Sequence, residues 1–269
     1  MLRCEACGRD YPFSEGRIFF DGLPENLEGD SDDIVFLVKH WLKRRPMLFR
    51  IAYFLQPALA IGKGPDAIAQ SGVTNPIYLN LGSGTPLYWK AGVTPLIQVD
   101  LHPYPGVDLV CDGTRLPFRD NDVDGVYNES LLEHTPDPEA IVNEVLRVLK
   151  PLGKANFILP QVAPFHSAPH DYTRWTVTGG QKLLKRFDYL ESGVRQGPIS
   201  AWLWQTQEII AIVFSFGVPS LYAAGLMLAT VATFPIKYLD WLVGRLPGAS
   251  RIALTLYFVV RKKEPFNLV

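Results

Sequence analysis

From residue 77 to 194 the chain alternates short apolar runs with polar, glycine-bearing breaks, and that alternation sets the expected architecture. Ile77-Tyr-Leu-Asn80-Leu81 has strand length and stops at Gly82-Ser83-Gly84, where two glycines let the backbone turn tightly. A second run, 95–99, ends at Asp100; a third, 107–110, ends near Asp112; a fourth, 124–127, runs into Asn128 and Glu129. Ile141, Val142, Val145, Leu146 and Leu149 then recur at helical spacing. Pro136-Asp-Pro-Glu139 favours the start of that helix, and Pro151 and Gly153 are expected to stop it. Residues 155–159 predict a fifth strand, 178–186 a helix, 187–194 a sixth strand, and 250–261 a seventh lying antiparallel beside the sixth. Strands alternating with helices predict a parallel sheet, in which ligands sit at the carboxyl ends of the strands near the reversal of strand order. The polar residues ending four successive strands therefore converge on one crevice.

Two stretches break this rhythm. Residues 31–60 open with Ser31, a candidate N-cap, and are largely apolar, with five Lys or Arg against two acids and Pro46 dividing two helices. Basic residues beside Trp41 and Phe49 suit a helix on an anionic membrane surface; an arm packed over the core with solvated charges is the alternative. From Ile209 to Ile236 no residue is charged, a run of 28. Gly217-Val-Pro219 cuts it, and the chain must return to the same sheet for its last strand. A hairpin of two helices, 199–216 and 219–246, follows, flanked by Trp202, Trp204, Tyr238 and Trp241. It reads either as dipped into one membrane leaflet or as a lid or dimer face.

The 269 residues are 48% hydrophobic, enough for a sizeable core, and a net charge of −1 argues against a nucleic-acid binder. Cys4-Glu-Ala-Cys7 has the spacing of half a zinc ribbon, but the second ligand pair is missing. Zinc completed by a partner chain is one reading, and a ribbon-like turn without metal is the preferred one. Three cysteines give no disulfide framework, Met1-Leu-Arg-Cys-Glu shows no apolar signal, and the expected home is the cytoplasm, with peripheral contact on the inner face of a membrane. The expected organisation is a half-ribbon at 1–25, a linker and arm at 26–75, a core at 76–197, the hairpin at 198–249, and a last core strand at 250–269.

Leu81-Gly-Ser-Gly84, Asp100, Asp112-Gly-Thr-Arg-Leu-Pro-Phe118, Asp122-Val-Asp124, Glu129-Ser-Leu-Leu-Glu-His134, Asp137-Pro138 and Glu144-Val-Leu-Arg-Val-Leu-Lys-Pro-Leu-Gly153, in that order, resemble the class I S-adenosylmethionine-dependent methyltransferases. Among these the resemblance is to the group holding the ubiquinone and menaquinone C-methyltransferases, and it covers about residues 77–187. It implies an α/β fold, a Rossmann-like seven-stranded sheet with the apolar hairpin inserted between the last two strands, and S-adenosylmethionine as cofactor. The implied cofactor residues are Asn80, Gly82, Ser83, Gly84, Asp100 with Leu101, Asp112, Gly113, Thr114, Asn128 and Glu129. A carboxylate at 100 can accept both ribose hydroxyls, and Asp112 can accept from the adenine amine. Asp122 and Asp124 read as turn and strand-start residues, and Glu144 and Arg147 as an ion pair. Asn80 stands where the resemblance expects an acid, and Thr85-Pro86-Leu87 replaces the third loop glycine.

Methyl transfer rests on alignment and on a base for the acceptor proton. His134 and His170 are the candidate bases. His166, Tyr172 and Arg174 are the candidate acceptor-binding residues, with Arg174 either gripping an anionic group or pairing with Asp171 to fix the loop. No metal ligand is expected apart from the Cys4 and Cys7 pair. The leading expectation is a methyltransferase for a lipid-like or membrane-held acceptor. The alternatives are a soluble small-molecule methyltransferase whose hairpin forms a lid or joins a homodimer, and a non-catalytic relative of the same fold that serves as a membrane partner.

Overall fold

The computed structural model describes residues 1–3, 8, 10–20, 34–85, 96–166 and 170–264. Cys4 and Cys7, the first part of the segment assigned to the linker and the Ser31 cap lie outside the described residues, as does 86–95 in the core. The chain opens with β1 (Leu2–Arg3), β2 (Asp10–Tyr11), β3 (Phe13–Ser14) and β4 (Arg17–Phe19), followed by α1 (Ile34–Lys43) and α2 (Pro46–Leu55). The core supplies β5 (Tyr78–Leu81), β6 (Leu96–Asp100), β7 (Leu109–Val110), β8 (Val123–Glu129), α3 (Pro138–Val148), β9 (Leu149–Pro160), α4 (Val177–Leu183) and β10 (Asp188–Gln196). The hairpin follows as α5 (Pro198–Ser215) and α6 (Pro219–Thr233), then α7 (Asp240–Val243) and the closing β11 (Thr255–Arg261).

The sheet runs β10-β11-β9-β8-β5-β6-β7-β4-β3. Strands β9, β8, β5, β6 and β7 are parallel, and β11 lies antiparallel between β9 and β10, as the expected seventh strand does. The chain leaves β5 toward β6 and β7, then returns to β8 on its other side, so the order reverses between β5 and β8. All seven expected strands are present, and among the described residues β4 and β3 extend the sheet further because the N-terminal segment does not stand apart. β4 pairs in parallel with β7, and β3 folds back on β4. The amides of Ile18 and Phe20 donate to Asp108 and Val110 carbonyls at 3.1 and 3.0 Å. An edge that would otherwise offer unpaired backbone groups is thereby extended and blunted.

Strand β9 is the second difference: it begins at Leu149 and continues through Pro151 and Gly153. Proline is tolerated there because the β8–β9 register shifts between Val123 and Gly125, a bulge that leaves Leu152 at φ +64°. On one face of the sheet, Leu79, Leu81, Val99 and Val126 pack with Ile141, Val142 and Val145 of α3. On the other, Tyr78, Tyr127 and Ile158 pack against Ile68 from the stretch before β5, and Asn156 Nδ2 donates to the Gly64 carbonyl at 2.9 Å. That stretch reads from sequence as a plain connector, yet it seals a face. Asp124 accepts from the Ile77 amide and from Lys150, and Glu144 pairs with Arg147 at 2.7 Å, both structural roles as expected.

The two ends of the hairpin insertion are tied together by a buried carboxylate. Asp240 accepts from the amides of Ile199 and Ser200 at 2.9 and 2.8 Å and from Ser200 Oγ at 2.6 Å, capping α5 from outside its own sequence. A side chain at Gly197 would collide with that carboxylate, so the close approach requires glycine. Lys237, itself buried, donates to the carbonyls of Phe54 and Gln56 and caps the end of α2. Arm and hairpin thus form one body. Its outer surface is apolar: Met47, Ile51, Ile212, Phe216, Met227 and Leu242 are all exposed, Phe216 at 82%. Pro219–Val243 is long and apolar enough to cross a membrane, and only 6% of its most apolar window is buried.

Replacing Ile18 by proline removes one amide of the β4–β7 ladder. Hydrogen exchange should then show residues 10–20 losing protection while β5 and β8 stay protected.

Candidate active site

The crevice is built at the carboxyl ends of β5, β6, β8 and β9. Past β5 the backbone turns through Gly82 (φ +74°) and Gly84 (φ +54°), a conformation that L side chains rarely adopt. The amides of Gly82 and Ser83 both donate to the Val99 carbonyl, at 2.8 and 3.0 Å, which pins the loop beside the end of β6. Asp100 closes the contact: Oδ2 accepts from the Gly84 amide at 2.7 Å and Oδ1 from the His102 amide at 2.8 Å. Burial alone would raise its pKa. The His102 contacts, the Lys43 ammonium and the Gly84 amide outweigh burial and hold the carboxyl below the usual carboxylate value. Lys43 lies over the ring of Tyr104, 4.7 Å from its centroid, and its own pKa is lowered by burial, partly offset by Asp100. It comes from α1, so the arm reaches the crevice beside Asp100. The Thr85 hydroxyl also donates to the Lys43 carbonyl at 2.6 Å.

Further along, Asp112 accepts from the Thr114 amide at 2.8 Å, holding Gly113 and Thr114 in a tight turn; Leu101 is half-buried after Asp100. Burial, then the charges of Asp112, Asp100 and Glu144, push the Cys111 thiol up to about 12, so this cysteine is inert at neutral pH. Asn128 is fully buried at the end of β8. Its Nδ2 donates to the Leu81 carbonyl at 3.0 Å, and its Oδ1 has no hydrogen-bond partner.

Three residues are placed differently from the sequence expectation. Strand alternation turns Asn80 to the face of Tyr78, where its amide donates to Gln98 Oε1 at 2.7 Å; it is a buried link between strands. Glu129 shares the face of Tyr127 and is held by the Tyr127 hydroxyl at 2.6 Å and by Arg195 Nε at 3.1 Å. Asn128 alone of the pair at the end of β8 therefore shares the face of Leu79 and Leu81. Arg174 takes the loop-fixing role. Its five N–H groups go to Asp171 (two), Ala163, Pro164 and Thr173, so none remains for an acceptor anion.

The two candidate bases also separate. His134 Nδ1 lies 2.6 Å from the His170 carbonyl, which fixes its ring. His170 is exposed, with its ring 5.5 Å from that of Tyr172, itself 53% exposed. His134 instead meets His166 edge-on, ring centroids 5.0 Å apart, with the buried carboxylate of Glu133 beside both. Sequence reasoning passed over Glu133; the adjacent Glu-His pair at the end of a strand was the available signal.

Residues 82–157 match the family model described as a methyltransferase domain. A demethylmenaquinone methyltransferase of Renibacterium salmoninarum is 35% identical over 81 residues, 29% of this chain and 34% of that protein. One from Streptomyces griseus is 25% identical over 188 residues, 66% of this chain and 78% of that protein. The first two curated relatives are thus matched over 34% and 39% of their own length. Among solved structures, the [4+2]-cyclase SpnF superposes with a TM-score of 0.52 at 16% identity, covering 86% of this chain and 96% of that one. A chain of the complex between the Haloferax volcanii Trm112 methyltransferase activator and the putative methyltransferase gives 0.50 at 16% identity, over 84% and 96%. The matched segment holds the glycine loop and the strands β6 to β8 that frame the crevice, so this part of the chain is similar to a methyltransferase domain. The sequence resembles the quinone methyltransferases.

Arg174→Ala should cost about 3–5 kcal/mol in chemical denaturation, because it strands the fully buried Asp171 carboxylate. An anion-gripping arginine would instead raise KM and leave stability alone.

Proposed function

We propose that the protein is an S-adenosylmethionine-dependent methyltransferase acting on a lipid-like acceptor held at a membrane surface. The observation carrying the cofactor half is Asp100. Each of its oxygens accepts one backbone amide, and the carboxylate's remaining lone pairs, with the His102 ring 3.6 Å from Oδ1, are the acceptors a ribose diol would use. Asn128 supports the same reading, since its orphaned Oδ1 would accept from the ammonium at the methionine end. Gly82 and Ser83 frame that end, and Asp112, Gly113 and Thr114 stand at the adenine end. The bound cofactor supplies a methyl carbon activated by sulfonium. Transfer forms a bond from acceptor to methyl, breaks the carbon–sulfur bond, and leaves a thioether.

What the chain contributes is alignment and proton handling. An acceptor hydroxyl or activated carbon must lose a proton. His170, exposed beside Tyr172, is the residue we assign to receive it, with His134 and His166 flanking the acceptor. Trp204 of α5 packs on the His166 ring at 5.4 Å, so the apolar hairpin forms part of the acceptor side.

The acceptor class rests on the apolar body. Exposed Trp41, Met47 and Leu48 stand among exposed Arg44, Arg45 and Arg50, with Arg45 over the Trp41 ring at 3.9 Å. Apolar side chains interleaved with basic ones suit an anionic bilayer surface. The hairpin continues that surface, and the relatives that act on menaquinone precursors carry names consistent with an apolar acceptor.

Asp100→Ala should weaken cofactor binding in calorimetry by about a hundredfold or more, from the loss of two charge-assisted hydrogen bonds. Asp100→Asn should show an intermediate loss and checks that the loop survives. Unchanged affinity in both would end the assignment. The depressed pKa of Asp100 means its carboxylate, and the affinity it lends, persist as pH falls through the usual carboxylate value, while the stability it lends is full above that value and is lost as pH falls from there through the lower folded-state value. Affinity should therefore be flat from about pH 8 to about pH 5.

The acceptor half is checked by flotation with vesicles containing anionic lipid and by labelled-methyl transfer into a membrane lipid extract. Co-flotation with label in the organic phase is expected. A homodimer that stays with the soluble fraction, with label in water-soluble products, would replace the lipid reading by a small-molecule one.

A further inference from the structure

Glu133 presents a problem that methyl transfer does not solve. Its side chain is fully buried, and neither carboxylate oxygen has a hydrogen-bond partner. A buried, uncompensated carboxylate is among the costliest groups a fold can carry. What faces it is the ring edge of two histidines. Oε1 lies 3.6 Å from His166 Nε2 and 3.9 Å from His134 Nε2, beyond hydrogen-bond reach of both, and the three donor atoms all fall within 4.8 Å of one another.

The other nitrogen of each ring favours one tautomer. His134 Nδ1 lies 2.6 Å from the His170 carbonyl, and His166 Nδ1 lies 3.1 Å from the Pro164 carbonyl and 3.3 Å from Asp171 Oδ2. Those oxygens only accept, and at 2.6–3.3 Å they outweigh the one donor near His166 Nδ1, Arg174 Nη2 at 3.5 Å, so donation from both Nδ1 atoms is favoured; in neutral rings of that tautomer both Nε2 atoms carry their lone pairs on the side of the carboxylate. Three electron-rich atoms converge with no proton among them in the neutral state. An imidazole whose far nitrogen donates to a carbonyl or carboxylate is the arrangement that orients histidine as a metal ligand.

We propose that Glu133, His134 and His166 bind one divalent transition-metal ion. Two imidazoles and one carboxylate suit zinc, iron or cobalt better than calcium or magnesium, which prefer all-oxygen shells. The separations are somewhat wider than the roughly 3.3 Å edge of a tetrahedron with bonds near 2.0–2.1 Å, a gap that small rotations of the side chains close. His134 and His166 are each slightly exposed, at 13% and 16% of their side chains, which gives an ion a path in. The supports are rigid: Arg174 clasps Asp171, Asp171 accepts from the His166 amide at 2.9 Å, and Trp204 backs the ring. Three protein ligands leave a coordination position open. If the site serves the acceptor side, which rests on the functional reading above, that position would take an acceptor oxygen.

The test uses the full chain carrying Cys4→Ser and Cys7→Ser, so that the N-terminal thiols cannot hold the metal, and contains no methyl donor. After chelator treatment the protein is titrated with Co2+ and then Zn2+. Metal content, the visible cobalt spectrum and the thermal midpoint are measured. One equivalent of metal, a cobalt spectrum of nitrogen and oxygen ligands, and a zinc-raised midpoint are expected. Glu133→Gln and His166→Ala should each weaken affinity at least tenfold. Nitrogen NMR of the histidine rings in the unsubstituted site serves where a variant fails to fold: Nε2 of His134 and His166 should shift on zinc addition. Absence of stoichiometric metal, affinity untouched by Glu133→Gln, or unmoved ring nitrogens would overturn the site. Because binding is read without the cofactor, this result stands apart from the fate of the Asp100 variants.

Discussion

The register of β5 between β6 and β8 is the constraint on which the rest depends. Leu81 lies opposite Val99 on one side and Asn128 on the other. The pairing is locked by buried polar links, Asn80 to Gln98 across one ladder and Asn128 to the Leu81 carbonyl across the other. A slip of one residue would turn every side chain to the opposite face and would strand both amides without partners. With the register held, the glycine loop, Asp100 and Asn128 arrive together at the strand ends without further help. The site is thus a by-product of sheet alignment, and its precision is that of a central strand.

Charge is used around this frame in two distinct ways. Most ionic groups are consumed by structure. Arg174 spends every N–H on its own loop, Arg195 holds Glu129 and the Gly62 carbonyl, and Asp240 and Lys237 cap helices that lack caps of their own. Asp100 and Asn128 retain unused acceptor capacity, and the Glu133 carboxylate has no hydrogen-bond partner. Residual hydrogen-bonding capacity in a buried place distinguishes sites from scaffolding better than residue type does. By residue type alone Arg174 and Glu129 look as functional as Asp100.

Much of this was legible in the chain itself. Apolar runs ending in Gly82, Asp100, Asp112 and Asn128 place the parallel sheet and its crevice, and the uncharged stretch after Ile209 places the hairpin, because burial periodicity is local information. What escaped was long-range. Nothing in Arg17-Ile-Phe19 announces pairing with β7 more than eighty residues away, and alternation within β8 decides, one residue at a time, that Asn128 faces the crevice while Glu129 turns to Arg195. Pro151 reads as a helix stop and nothing more, since a bulge that admits proline into a strand depends on the neighbouring strand. Glu133 hid for the same reason: its significance comes from His166, which the fold brings over from the following strand's loop.

The position of β5 bears on how this protein can be handled. The segment recognisable by similarity starts at residue 82, one residue after β5 ends, and finishes at 157, inside β9. Excising that segment as a ready-made domain would discard the middle plank of the sheet, cut short β9 two strands away, and leave two bare ladders where one continuous surface had been. Expression boundaries for this protein are therefore dictated by strand order, and the shortest piece worth cloning includes the first twenty residues as well as the last strand.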